Sequence, residues 1–229
     1  MKKVIVITGA TDGIGRELAK LLSKDYVLAL CGRSREKMDS LLKELSNAEI
    51  YQECFDITDD NKRHNFCEHV KEKYGTVDVV VNNAGANTKK DKVTDINLDD
   101  LRYMFELNCV SALGVIKEFY PVMKEKQSGL FVNILSSCCL FHNSMTGSYT
   151  ASKDAMEAIC KILLKEVKSD HIGVCNVYPG GVDTNFRSNA NANYLRPETV
   201  AKMIKMCIEN EDGCVHDIVI RPFIEDNIA

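Results

Sequence analysis

Seven short runs rich in Val and Ile recur along the chain, at Val4–Ile7, Val27–Cys31, Ile50–Phe55, Val77–Val81, Leu130–Leu135, Val174–Val177 and Ile218–Ile220. Charged segments with helical periodicity separate them. Runs that are apolar on consecutive positions belong to strands covered on both faces, and strands alternating with helices build βαβ units. The expected fold class is therefore α/β, a doubly wound parallel sheet of about seven strands with helices on both faces. Two long helices are expected, one from an Asn97 N-cap to about Lys126 and one from about Ser148 to Ser169. The polar, asparagine-rich stretch from Asn185 to Arg196 reads as a candidate lid before a helix opened by Pro197.

Composition excludes several classes. At 229 residues a single domain, 1–229, buries roughly 70% of its unfolded surface and needs no metal or disulfide staple. Lys plus Arg number 29 against 33 Asp plus Glu, and both signs are mixed throughout, so neither a nucleic acid nor a membrane surface is an expected partner. The apolar runs fall far short of the roughly 20 residues of a bilayer span. The ten cysteines are scattered through apolar segments with no CxxC pair, which reads as buried thiols in a reducing compartment, and a cytoplasmic location is expected. No metal site is expected: His64 and His69 flank Cys67 and Glu68, but a five-residue spacing takes the histidines off one helical face.

The first apolar run passes directly into Thr8-Gly9-Ala10-Thr11-Asp12-Gly13-Ile14-Gly15 and then into a helical pattern. Glycines there permit a sharp turn and let a pyrophosphate approach helix N–H groups at the positive end of the dipole. The second run ends in Leu30-Cys31-Gly32-Arg33-Ser34-Arg35, with no carboxylate to accept from a ribose 2′-hydroxyl. Arg33 can fork onto a 2′-phosphate, with Ser34 adding a hydroxyl and Arg35 or Lys37 adding field, so NADP(H) is preferred over NAD(H). Asp12 opposes that preference, because a carboxylate in the loop repels phosphate.

Tyr149 and Lys153 stand four residues apart in Tyr-Thr-Ala-Ser-Lys, on one helical face. A phenol titrates near 10, and lowering it by ~3 units takes about 4 kcal/mol. A cation ~4 Å away at an effective dielectric of ~20 supplies about that much. The same spacing on its own equally describes an amphipathic helix with a packed tyrosine and a solvated lysine. Ser136 ends the apolar run before this helix, and in a doubly wound sheet the strand C-termini face the ligand crevice. Alternation sends one of Ser136 and Ser137 into the site, and Ser136 is the choice here.

These residues together resemble the short-chain dehydrogenases/reductases, over about Val4 to Pro222. Thr8–Gly15 resembles the family's nucleotide loop, Asn82-Asn83-Ala84-Gly85 its turn after the fourth strand, Tyr149 with Lys153 its catalytic pair, and Pro179-Gly180-Gly181-Val182-Asp183-Thr184 its PGxxxT segment. The resemblance implies a Rossmann fold with both cofactor and substrate sites in one domain. It implies cofactor contacts from Gly9, Thr11, Asp12, Gly13, Ile14, Gly15, Arg33, Ser34, Asp56, Ile57, Asn83, Ala84, Gly85, Tyr149, Lys153, Pro179, Gly180, Val182 and Thr184. Asp56 and Ile57 would lie at the adenine, and Thr184 at the nicotinamide carboxamide. Asn108 would complete a catalytic tetrad with Ser136, Tyr149 and Lys153 by positioning a water. No metal takes part.

The implied activity is NADPH-dependent reduction of a ketone or aldehyde, a 3-oxoacyl thioester among the candidates, reversible as alcohol oxidation. The alternative is a non-catalytic NADP(H)-binding sensor. Cys138, His142 and Met145 would form one wall of the substrate pocket, and Phe186, Arg187, Tyr194 and Leu195 the other. Leu135 departs from the family's usual serine, and Cys138-Cys139 occupies a stretch that often holds small residues. The resemblance also implies a homodimer or homotetramer packed through the two long helices.

Overall fold

Every apolar run becomes a strand in the computed structural model of the chain, which describes residues 2–45, 47–186 and 191–225. The strands are β1 (Val4–Thr8), β2 (Val27–Gly32), β3 (Ile50–Cys54), β4 (Val79–Asn82), β5 (Gly129–Ile134), β6 (Ile172–Pro179) and β7 (Asp217–Ile220). They form one sheet in the order β3-β2-β1-β4-β5-β6-β7, with each pair parallel. The chain reverses its direction of winding between β1 and β4, which opens a crevice above the carboxyl ends of those strands.

Consecutive apolar positions serve two cores. Val4 and Val6 of β1 point into one, against α3 (Asp60–Tyr74), α5 (Ser111–Lys126) and α7 (Gly147–Glu166). Ile5 and Ile7 point into the other, against α1 (Gly13–Leu22), α2 (Arg35–Glu44) and α8 (Pro197–Glu209). Both cores are fully shielded at β1, which is why that strand shows no polar alternation.

The first long helix is not uniform. Asn97 caps it as expected, its Oδ1 accepting from the Asp99 amide at 2.7 Å. Helix α4 (Leu98–Phe105) then widens into a π-helical turn over Glu106–Val110 before α5 continues to Lys126. The extra residue in that turn carries Asn108. The second long helix ends at Glu166, short of the expected Ser169, and a 3₁₀ turn over Lys168–Asp170 follows. A short helix, α6 (Cys138–Phe141), lies between β5 and α7.

Candidate active site

The glycine loop is held in shape from behind. Thr8 Oγ1 accepts from the amides of Asn83 and Ala84, each at 3.1 Å, and Asn83 Nδ2 donates to the carbonyls of Thr8 and Gly9, each at 3.0 Å. These bonds join the end of β1 to the turn after β4. Gly9 adopts φ +65, the left-handed region that glycine enters without strain. Gly15 is needed for close approach: a Cβ there would stand 2.5 Å from Asn83 Nδ2 and 2.6 Å from the Gly9 carbonyl. Gly15 thus packs α1 against the loop and does not form part of the cleft wall.

Asp12 caps α1 by accepting from the Gly13 amide at 2.8 Å. It also pairs with Lys37 and accepts from Asn185 Nδ2 at 3.1 and 3.2 Å. Burial works against its carboxylate, but hydrogen bonds from Lys37, Asn185 and Gly13 outweigh that and hold its pKa below the ordinary value. The repulsion expected between Asp12 and a phosphate is therefore offset by the Lys37 ammonium beside it.

A cleft of about 1280 Å³ runs from this loop across the ends of the strands. Gly9, Thr11, Asp12, Gly13, Ile14, Arg33, Ser34, Ile57, Asn83, Ala84, Gly85, Pro179, Gly180, Val182 and Thr184 line it, and so do Ser136, Tyr149 and Lys153. Arg33 is 62% exposed at the rim, with Nη1 3.8 Å from Asp56 Oδ2 and 3.4 Å from the Tyr103 hydroxyl. Asp56 itself lies off the wall, its Oδ1 accepting from the Thr58 amide and hydroxyl at 3.0 and 2.8 Å. Ser34 caps α2 by accepting from the Lys37 amide at 3.2 Å, and Arg35 turns away to Gln52.

At the other end of the cleft the α7 helix presents Tyr149 and Lys153, 9% and 5% exposed. Lys153 Nζ donates to the Ile134 carbonyl at 2.7 Å. Burial, opposed by neighbouring thiols, pushes its ammonium below the ordinary lysine pKa. Ser136 Oγ accepts from the Cys138 amide at 3.2 Å, and its hydroxyl proton can turn either to the Cys138 sulfur or to an acceptor in the cleft. The Tyr149 ring meets Phe186 edge-on, 5.8 Å between centroids.

Asn108 stands behind this group. Its Oδ1 accepts from the Ala86 amide at 2.9 Å, and its Nδ2 donates to the Ala86 carbonyl at 2.9 Å and to Ser152 Oγ at 3.0 Å. A Cβ at Gly85 would lie 2.8 Å from Asn108 Oδ1 and 3.3 Å from Lys153 Nζ, so the Gly85–Ala86 backbone is pressed between them. The π-helical turn is what brings Asn108 to that backbone.

Of the pocket residues expected from sequence, Cys138, Met145, Phe186 and Tyr194 line the cleft. His142 points away to Asp154, Leu195 pairs with the Gly181–Val182 backbone, and Arg187 lies outside the described residues. The Cys138 thiol is drawn down to about 7, by hydrogen bonds from Cys139, Ser136 and Thr150 and by the Lys153 charge, against its burial. Sequence reasoning missed the wall formed by Asn87, Thr88, Lys89 and Lys90 with Asn143 and Ser144. An Asp91–Thr146 bridge joins those two loops, and no local pattern signals such a pairing.

A glycine loop at the switch point of a doubly wound sheet, sharing one cleft with a buried Tyr–Lys pair and a strand-end serine, defines a dinucleotide-dependent oxidoreductase. Comparison with known proteins agrees. The match to the family described as short chain dehydrogenase covers residues 3–195. An uncharacterized oxidoreductase of Staphylococcus aureus is 28% identical over 225 residues, 96% of this chain and 97% of that one. An NADPH-dependent pterin aldehyde reductase of Arabidopsis thaliana is 28% identical over 193 residues, 83% of this chain and 79% of that one. An alcohol dehydrogenase from the archaeon Thermococcus sibiricus, complexed with 5-hydroxy-NADP, superposes with a TM-score of 0.89 at 26% identity, covering 97% of each chain. The chain belongs to the short chain dehydrogenase family and is an NAD(P)-dependent oxidoreductase.

Proposed function

We propose that this protein reduces a ketone or aldehyde with NADPH, a substrate class that includes 3-oxoacyl thioesters. The observation that carries the reading is the meeting of Ser136, Tyr149 and Lys153 on one wall of the cleft that begins at the glycine loop. The dinucleotide fits the chain's own groups: the close-packed turn at Gly9 and Gly15 leaves loop backbone facing the cleft, and Arg33 and Ser34 at the rim suit a 2′-phosphate. The pterin aldehyde reductase and the 5-hydroxy-NADP complex among the similar proteins support the choice of NADPH.

When bound, the nicotinamide supplies a hydride to the carbonyl carbon. The Ser136 hydroxyl donates to the substrate oxygen and holds it beside the Tyr149 phenol. Tyr149 gives that oxygen its proton. Lys153, fixed by the Ile134 carbonyl, lowers the phenol pKa through its charge. Asn108 positions the Gly85–Ala86 wall rather than touching substrate.

Tyr149→Phe tests the reading. NADPH binding, followed by fluorescence, is expected to hold within about twofold, while turnover on a panel of carbonyls falls by about 10²–10⁴. A variant that kept most of its rate would remove Tyr149 as the acid. Tight NADPH binding by the wild type with no turnover on any carbonyl would leave the sensor reading in its place. We extend the proposal to a homodimer or homotetramer, supported by apolar surface at Val110 and Ile162, 44% and 56% exposed. Light scattering that showed a monomer would refute this part.

A further inference from the structure

Among the described residues, two groups of metal-ligating side chains lie outside the cleft. In the first, His64 and Glu68 of α3 meet Glu118 of α5. Its cation is already supplied by the chain: Lys71 Nζ is 2.5 Å from Glu68 and 3.3 Å from Glu118, and His64 Nδ1 lies 2.8 Å from Glu118. That group is a satisfied surface network.

The second group differs in donor chemistry and in what it leaves unpaired. Cys139 of α6 meets Asp154 and Glu157 of α7, with one ligand atom of each within 4.8 Å of the other two. Asp154 and Glu157 are three residues apart and so share a helical face. Asp154 Oδ1 is removed from solvent and has no hydrogen-bond partner, although a buried acceptor left unpaired costs about 1–3 kcal/mol. Its other oxygen, Oδ2, faces His142 Nε2 at 3.0 Å. The Tyr178 hydroxyl lies 3.0 Å from Glu157 Oε1 and 3.1 Å from Asp217 Oδ1, and its single proton can serve only one of them. Lys161 Nζ reaches Glu157 at 2.7 Å from a half-exposed side chain, the one ion pair of that carboxylate among the described residues. Two carboxylates and a thiol are thus gathered, and one oxygen of the Asp154 carboxylate lacks a donor.

We propose that Cys139 Sγ, Asp154 Oδ1 and Glu157 bind a zinc ion, with His142 holding the second oxygen of Asp154 and a water in the fourth position. A thiolate beside carboxylates and an imidazole selects zinc over magnesium or calcium, which take oxygen alone. Ligand atoms around tetrahedral zinc lie about 3.5 Å apart, so side-chain rotation closes whichever of the three separations exceeds that. A histidine hydrogen-bonded to a ligating carboxylate is a recurrent support of such sites. The ion joins α6, which follows Ser136, to α7, which carries Tyr149 and Lys153, and so ties together the two elements that form the catalytic wall. The local CxxC and histidine spacings do not show this group, because its members come together only when α6 packs on α7.

The test uses the full-length protein, reduced and stripped with chelator, titrated with cobalt and then with zinc. One cobalt per chain with thiolate-to-metal charge-transfer absorption is expected, and zinc should displace it. Cys139→Ser and Asp154→Asn are each expected to weaken zinc binding by about 10- to 100-fold or more, and His142→Ala by about 10-fold. Cys138→Ala and His64→Ala should keep both the absorption and the affinity. Absence of the thiolate band in the wild type, non-stoichiometric binding, or a band that follows Cys138 would overturn the site. Should Cys139→Ser fail to fold by circular dichroism, Asp154→Asn and the wild-type cobalt spectrum decide the matter without it. None of these readings depends on turnover.

Discussion

Lys153 Nζ donates to the Ile134 carbonyl at 2.7 Å, at the end of β5 and two residues before Ser136. One bond therefore sets the position of the cation relative to both the strand-end serine and the phenol on its own helix. Lys153→Met removes the charge and keeps the length. Without the ammonium the phenol returns toward about 10. Alcohol oxidation needs the phenolate, so the variant's residual oxidation should climb with pH toward about 10, whereas the wild type levels off nearer neutrality. At pH 7 a loss of about 10²–10⁴ in rate is expected. Because burial disfavours the ammonium, the melting temperature should stay level or rise. An unchanged pH–rate profile would refute the role given to Lys153.

Arg33 is poised between Asp56 at 3.8 Å and the Tyr103 hydroxyl at 3.4 Å. Such weak tethers can be exchanged for a phosphate. Hydrogen bonds to a charged group contribute about 1.5–3 kcal/mol, or about 10- to 100-fold in affinity. Arg33→Gln should weaken NADPH by that factor and NADH by less than about threefold, read as paired dissociation constants from fluorescence titration. Equal losses for both cofactors would place Arg33 outside 2′-phosphate recognition.

The sheet was legible because its inner strands are buried on both faces, so Val4–Thr8 or Val79–Asn82 needs no partner to be seen, whereas the edge strands β3 and β7 are only partly covered. Strand ends were less so: β6 extends to Ile172 and Pro179, past the apolar run, because hydrogen bonding to β5 and β7 and not side-chain pattern sets its length. The π-helical turn at Asn108 inserts one residue into a periodicity too loose to register it. At the site, Tyr149, Lys153 and Ser136 follow from helical spacing and strand direction. Lys37 beside Asp12, and Asp56 drawn off the wall by Thr58, depend on which loops the sheet brings together. The grouping of Cys139 with Asp154 and Glu157 has the same origin.

Gly15 permits an approach that no side chain allows. Its Cβ position is 2.5 Å from Asn83 Nδ2 and 2.6 Å from the Gly9 carbonyl, both of them part of the brace behind the glycine loop. Gly15→Ala should displace that brace and cost about 1–3 kcal/mol, the usual penalty of overpacking. The expected result is a lower melting temperature together with NADPH affinity reduced by at least about tenfold. Full affinity at wild-type stability would mean that the loop has room to spare.

Asn82, Asn133 and Asn176 stand in register across β4, β5 and β6 and form a buried amide ladder. Asn82 Nδ2 donates to Asn133 Oδ1 at 3.0 Å, Asn133 Nδ2 to Asn176 Oδ1 at 3.4 Å, and Asn176 Nδ2 to Asp217 Oδ1 at 3.2 Å. Asn133 is the central rung and 1% exposed. Asn133→Ala leaves a donor of Asn82 and an acceptor of Asn176 buried without partners, at about 1–3 kcal/mol each. Urea unfolding should show a lower midpoint at constant slope, equivalent to about 2–5 kcal/mol once the small cavity is included. Replacing all three amides together, as Asn82→Val, Asn133→Leu and Asn176→Val, should recover much of that loss, because apolar groups of similar size leave nothing unsatisfied within the ladder while the exposed Asp217 turns to water. A single Asn133→Ala variant that lost less than about 1 kcal/mol would show that the ladder bonds are replaced by water and do not hold the strands in register.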